Sequence, residues 1–275
     1  MKNKYIRILL VCTLLFQATS LSAQKVGLVL SGGGARGLAH IGVIKALEEN
    51  GIPIDYIAGT SAGSIVGCMY AMGLSPNQMD SLVRTEEFYN WATGTIDEDY
   101  SYYFRKREEN ASWINLKFSL DSIIQTTLPT SLVSSVPIDY ALMQNTAAVI
   151  AAANYNFDSL FIPFRCVAAD IENKKTVIFK DGDLGMAVRA SSAYPFYFRP
   201  VIFDGKILYD GGMYNNFPAD VMLADFQPDI IIGINAGGST MATSETNIIS
   251  QIRAMMTTPT NFSVICENGI LIEPN

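Results

Sequence analysis

The chain has 275 residues, enough for one large domain or two small ones, and 49% of them are hydrophobic, which rules out disorder as its main state. A net charge of −7 argues against nucleic acid as a partner. The sole histidine, His40, excludes zinc sites built on several imidazoles and makes any Ser-His-Asp triad depend on one residue.

The chain opens as a signal peptide. Lys2, Lys4 and Arg7 give a positive start, Ile8 to Phe16 is an apolar run broken only by Thr13, and Leu21-Ser22-Ala23 ends in a small residue. The run is shorter than the about 20 residues of a spanning helix. Gln24 rather than Cys follows, so a lipoprotein anchor is not supported there. The expectation is export across the inner membrane, to the periplasm, the outer membrane or the medium. Loss of residues 1–23 deepens the net charge of −7 by three, so membrane contact is expected to be local and apolar. Cys68, Cys166 and Cys266 remain, widely spaced and without a CxxC pair, which reads as free thiols. Neither a metal nor a cofactor is expected.

Lys25 to Leu30 reads as a short strand, Ser31 to Gly37 as a glycine-rich turn, and Leu38 to Asn50 as a helix stopped by Gly51. Ile54 to Ala58 is a second strand, followed by Gly59-Thr60-Ser61-Ala62-Gly63 and a small-residue helix from Ser64 to Met72. Strand, turn and helix twice over imply a parallel sheet in an α/β fold. Phe88 to Phe118 is rich in aromatics without strand alternation and reads as helices and loops inserted into the sheet. Ile138 to Ala153 is a further helix. The sheet resumes at Phe164–Ala169 and Thr176–Phe179, with a helix at Leu184–Ser192. Asp204-Gly205 joins Val201–Phe203 to Lys206–Tyr209 as a hairpin, and Ile230–Ile234 is a buried strand. Past Gly237 the pattern fades.

Gly59-x-Ser61-x-Gly63 between a strand and a helix is the setting of a nucleophile elbow: a sharp turn that lifts a serine hydroxyl to the positive end of a helix. The glycine loop carries two readings. Gly32, Gly34 and Gly37 satisfy a dinucleotide fingerprint, with Asp55 as the ribose acid. Alternatively, Gly32, Gly33 and Gly34 present bare backbone N–H groups as an oxyanion hole. The second is favoured, because another glycine turn carries a serine and Asp55 precedes the apolar part of its strand. The serine needs a base. His40 beside Ala39 and Ile41 reads as a packed helix residue, although it stays open as a base. Asp210, at a strand end before Gly211-Gly212, is the better candidate, provided burial raises its basicity.

Taken together, Gly32-Gly33-Gly34-Ala35-Arg36-Gly37 running into His40-Ile41-Gly42-Val43, then Gly59-Thr60-Ser61-Ala62-Gly63, then Ala190-Ser191-Ser192 to Phe198-Arg199-Pro200, then Asp210-Gly211-Gly212 resemble an exported bacterial patatin-like phospholipase over Lys25 to Asn235. The resemblance implies a three-layer α/β/α sandwich around a mainly parallel sheet. It implies a Ser61–Asp210 catalytic dyad, a glycine oxyanion loop with Arg36 as a nearby cation, and calcium-independent cleavage of acyl esters of glycerolipids. The partner is then a phospholipid or other acyl-ester lipid; the aromatic segment Phe88 to Phe118 itself reads as packing of inserted helices, with an acyl channel or contact to a membrane surface as its other readings. A non-catalytic lipid-binding module is the other outcome. The expected organisation is 1–23 leader, 24–240 catalytic domain and 241–275 a C-terminal segment, compatible with continuation into an outer-membrane barrel.

Overall fold

The computed structural model describes residues 24–96, 115–119, 122–127, 131–237, 254 and 269–274. The leader, Trp113 and Cys266 lie outside the described residues. Ten strands and seven α-helices follow in chain order among the described residues. The strands are β1 (Val26–Leu30), β2 (Tyr56–Thr60), β3 (Asn115–Ser119), β4 (Ser122–Thr127), β5 (Phe164–Asp170), β6 (Lys175–Phe179), β7 (Val201–Phe203), β8 (Lys206–Asp210), β9 (Ile230–Ile234) and β10 (Ile270–Ile272). The helices are α1 (Ala39–Glu49), α2 (Ala62–Ala71), α3 (Pro76–Val83), α4 (Glu86–Thr93), α5 (Val136–Ala152), α6 (Leu184–Ser191) and α7 (Ala219–Asp225).

Eight strands form one mixed sheet in the order β10-β9-β1-β2-β5-β8-β7, with β6 also on β5. From β10 through β5 every pairing is parallel, whereas β6, β8 and β7 join antiparallel. Both faces are covered, which is why β1 and β5 are buried at every position. Strand alternation sorts the core into two layers. Leu28, Leu30, Ile57, Ile232 and Ile234 pack with residues of α1, α2, α5 and α6. Val29, Ala58 and Ile231 face Ala219 and Met222 of α7 on the other side. The fold is thus the patatin-like α/β sandwich that the sequence suggests. Arg165 on β5 pins α7: it pairs with Asp158 at 2.6 Å and Asp225 at 2.5 Å, and lies 4.5 Å over the Phe226 ring.

The register of β5 brings two chain segments head to head. Val167 pairs with Thr60 on one side and Ile178 on the other; Ala168 pairs with Asp210 on one side and Val177 on the other. Because β6 occupies one edge from Cys166 to Asp170, β2 and β8 share the opposite edge. They run toward each other and end at adjacent positions, one at Thr60 and one at Asp210.

The structure departs from the sequence expectation in four places. The second strand runs to Thr60 rather than stopping at Ala58, because Gly59 lets the strand lie against the Gly63 carbonyl, where a Cβ would come within 2.5 Å. The segment from Phe88 to Phe118 includes a strand, Asn115–Ser119, paired antiparallel with β4; its alternation rests on Leu116 and Phe118 alone. Helices α3 and α7 are short and fall in stretches to which the sequence reading assigns no element. Finally, the sheet continues beyond residue 240, since β10 pairs parallel with β9.

Asn235 joins that strand to the rest: its N–H donates to Ile272 O at 2.9 Å and its Nδ2 to Glu273 Oε1 at 2.8 Å. A chain ending at residue 268 is therefore expected to melt about 5 °C or more below the full chain by circular dichroism. An unchanged melting temperature would show that β10 adds no stability.

Candidate active site

Ser61 sits at the junction of β2 and α2 with φ 54° and ψ −124°. A non-glycine residue there carries strain of about 1–3 kcal/mol, held only because its surroundings over-determine it. Ser61 N–H donates to Ser191 Oγ at 3.1 Å, and Ser61 O accepts from Ser64 Oγ at 2.6 Å and Ser64 N–H at 2.9 Å. Gly63 lies so close to Leu30 O that no Cβ fits. The serine at this helix start makes no capping bond with its side chain. Its Oγ is left for another partner, which is Asp210: Ser61 Oγ donates to Asp210 Oδ2 at 2.6 Å.

Asp210 is 3% exposed. Its second oxygen, Oδ1, accepts from Gly212 N–H at 2.7 Å, and its own N–H donates to Ala193 O at 3.0 Å. Burial pushes the carboxyl up from 3.8 to about 6, against the pull of the Ser61 and Gly212 hydrogen bonds. A carboxylate with that affinity for a proton is matched to base chemistry near neutrality, which an ordinary aspartate is not.

The glycine loop lies between β1 and a 3₁₀ turn at Gly34–Leu38. Gly34 has φ +56°, which favours glycine. Of the three amides expected to converge, Gly32 N–H is taken by Asn216 O at 3.1 Å, so it is not a free donor. Gly33 N–H and Gly34 N–H have no hydrogen-bond acceptor among the described residues. Gly33 is half-buried and Gly34 exposed, so both can be approached from outside. Arg36 is exposed on the 3₁₀ turn.

The other candidates separate from this group. His40 is fully buried, and its Nε2 is 2.9 Å from Ser31 O, beneath the glycine loop. Burial lowers it from 6.5 to about 4, so the ring stays neutral across the working range and Ser61 Oγ is directed elsewhere. Asp55 accepts from Lys25 Nζ at 2.7 Å and Val26 N–H at 2.8 Å, at the start of β1 and β2. The glycine loop follows the far end of β1, about 16 Å away along five residues of strand. The geometry therefore removes Asp55 as a ribose partner for Gly32, Gly34 and Gly37. Gly37 serves packing instead, against Ala62 Cβ.

Four contributors escape sequence reasoning. Ser31 Oγ donates to Gly32 O at 3.0 Å and accepts from Ala236 N–H at 2.8 Å. Ser191 holds the Ser61 amide. Asn215 O accepts from Thr60 Oγ1 at 2.9 Å, and Asn216 holds Gly32. The nearest available signal was the Asn215-Asn216 pair just after Asp210-Gly211-Gly212.

The sequence matches the family described as patatin-like phospholipase over residues 28–223. It is 34% identical over 206 residues to patatin-like phospholipase domain-containing protein 6 of Homo sapiens, covering 74% of this chain and 13% of that protein. An uncharacterized NTE family protein of Mycobacterium tuberculosis is 31% identical over 218 residues, covering 79% of this chain and 51% of that protein. The chain thus spans about half the length of the bacterial relative and far less of the human one. Among solved structures, VipD from Legionella pneumophila is similar at a TM-score of 0.44 and 14% identity, covering 85% of this chain and 53% of that one.

The buried carboxyl has a consequence for stability. Its pKa is raised on folding, so the fold favours the protonated form. The associated stability is fully present below the unfolded value near 4 and is lost as pH rises through about 6. Asp210→Asn lacks this loss. Its stability relative to wild type is expected to grow by about 2–3 kcal/mol between pH 4 and pH 8 in denaturant titrations. A difference independent of pH would contradict the raised pKa.

Proposed function

Because the chain belongs to the patatin-like phospholipase family, we propose that it is a serine acyl hydrolase acting on glycerolipids, a phospholipase A or lipid esterase, with Ser61 as nucleophile and Asp210 as its base. The observation that carries the reading is the 2.6 Å hydrogen bond from Ser61 Oγ to a buried carboxylate, made by a serine held in a strained turn at a helix N-terminus.

The chemistry follows from the arrangement. Ser61 Oγ attacks the ester carbonyl carbon while Asp210 Oδ2 takes its proton. The carbonyl oxygen becomes an oxyanion and is held by the Gly33 and Gly34 N–H groups, where one lost donor raises the barrier by roughly 3–4 kcal/mol. The positive end of α2 favours the same charge. Collapse breaks the ester C–O bond, and Asp210 returns its proton to the departing alcohol or lysolipid. A water molecule, deprotonated by Asp210, then attacks the acyl-Ser61 carbonyl; the bond to Ser61 Oγ breaks, Asp210 returns the proton to Ser61 Oγ, and the fatty acid leaves. Arg36 places a cation beside the loop, suited to the phosphate of a phospholipid head group. Lys2, Lys4 and Arg7 before the apolar run support export across the inner membrane.

A fluorophosphonate probe is expected to label the wild-type chain and not Ser61→Ala. Phospholipid hydrolysis is expected to fall by about a thousandfold or more in Ser61→Ala and Asp210→Asn. Hydrolysis retained by both variants would sink the proposal. The base must be ionised to act, so kcat/KM is expected to rise with pH through about 6 and level off above it. A rate that falls as pH rises through that range would contradict Asp210 as the base.

A further inference from the structure

Three segments meet behind the Gly33 and Gly34 amides: the glycine loop, the turn after Asp210 and the stretch after β9. Asn216 touches all three. Its carbonyl accepts Gly32 N–H at 3.1 Å, and its Nδ2 donates to Gly32 O at 3.3 Å, from a position 184 residues along the chain. Its amide is wedged by close backbone approach on every side. A Cβ on Gly212 would come within 2.7 Å of Asn216 Oδ1, one on Gly237 within 3.3 Å of Nδ2, and one on Gly32 would collide with Oδ1.

The bond to Gly32 O matters because of peptide geometry. Gly32 C=O and Gly33 N–H belong to one planar trans unit, so they point in opposite directions. Fixing the carbonyl aims the amide. Asn216 Nδ2 and Ser31 Oγ both donate to Gly32 O, at 3.3 and 3.0 Å, from two different segments of the chain. The Gly33 N–H then has no freedom to turn away from the site, and it makes no hydrogen bond of its own among the described residues.

We infer that Asn216 is a positioning residue for acyl transfer, whose side-chain amide aims the Gly33 N–H at the oxyanion by holding the Gly32 carbonyl. This deepens the proposed function and rests on it. Asn216 also lies six residues after Asp210, and the intervening turn is closed by Tyr214 N–H and Asn215 N–H on Gly211 O, at 3.0 and 2.8 Å. One short turn therefore sets both the base and the donor that answers it. Asn216 itself moves no proton and forms no bond to substrate.

The test compares wild type with Asn216→Ala and Asn216→Asp on a short-chain oxoester and its thionoester analogue, in which sulfur replaces the carbonyl oxygen. An aimed N–H stabilises a developing oxyanion far better than the larger, more weakly hydrogen-bonding thiolate-like sulfur. Asn216→Ala removes the amide, whereas Asn216→Asp keeps its volume and loses the Nδ2 donor. Both variants are expected to lose about tenfold to a hundredfold in kcat on the oxoester, with KM within about twofold. The ratio of oxoester to thionoester rates is expected to fall by about tenfold, a readout that general loosening of the fold does not select. Thermal melts accompany the kinetics, and Asn216→Asp decides if Asn216→Ala does not fold. Wild-type kcat and an unchanged ratio in a folded variant would overturn the role of Asn216 alone. Oxoester hydrolysis retained by Ser61→Ala, measured alongside, would overturn both the role and the function it rests on.

Discussion

A carboxylate kept from water beside a serine hydroxyl is the constraint around which this fold is arranged. Asp210 is 3% exposed and receives two hydrogen bonds, one from Ser61 Oγ and one from Gly212 N–H. Two donors do not fully replace the water lost, and the shortfall leaves the carboxyl raised to about 6. That shortfall raises the proton affinity which the proposed role of Asp210 as a base requires. The carboxylate touches the serine hydroxyl directly, with no imidazole between them. The only histidine is employed elsewhere, sealed beneath the glycine loop against Ser31 O.

The sheet makes this contact reproducible. A serine after a parallel strand ordinarily has only helix and loop for neighbours. Here β5 gives the same edge first to β2 and then, one register position on, to the antiparallel β8. The two strands converge end to end, so residues 149 apart meet without a long side chain having to reach. Small side chains follow from the same crowding. Gly59, Gly63 and Gly211 each lie against backbone carbonyls that leave no room for a Cβ. Mixed pairing on this side of an otherwise parallel sheet is thus the feature that assembles the site.

Local features of this arrangement are legible in the sequence, and non-local ones are not. Strands β1, β6 and β9 show as apolar runs, and the β7–β8 hairpin shows through Asp204-Gly205, which adopt φ 49° and 71° as such a turn requires. The glycine turns show because close approach demands a specific residue type at a specific place. Asp210 shows through its place at a strand end and the order of the motifs around it, since Asp-Gly-Gly alone is an ordinary turn. Ser31, Ser191 and Asn216 do not, since a serine or asparagine in a loop is ordinary until its distant partner is known. The bond from Ala236 N–H to Ser31 Oγ spans 205 residues, and no periodicity encodes it. Gly32 illustrates the limit most sharply. Its type was right for a backbone donor, but its N–H is already committed to Asn216 O.

That commitment shows how the two halves of the site depend on each other. An oxyanion hole works without reorganisation only if its donors are rigid before charge develops. A glycine loop is intrinsically the least rigid segment available. The fold resolves the conflict by leaving side chains out of the loop and importing restraint from outside it. Asn216 comes from the turn that follows Asp210, Ala236 from the strand end beside β1, and His40 from the helix that the loop feeds. Asn235, in turn, ties the Ala236 segment to β10. Restraint on the loop therefore reaches from the turn after Asp210 on one side to the last described strand on the other. The matched region, residues 28–223, contains Ser61 and Asp210, whereas Ala236 and β10, part of the frame around them, lie beyond it.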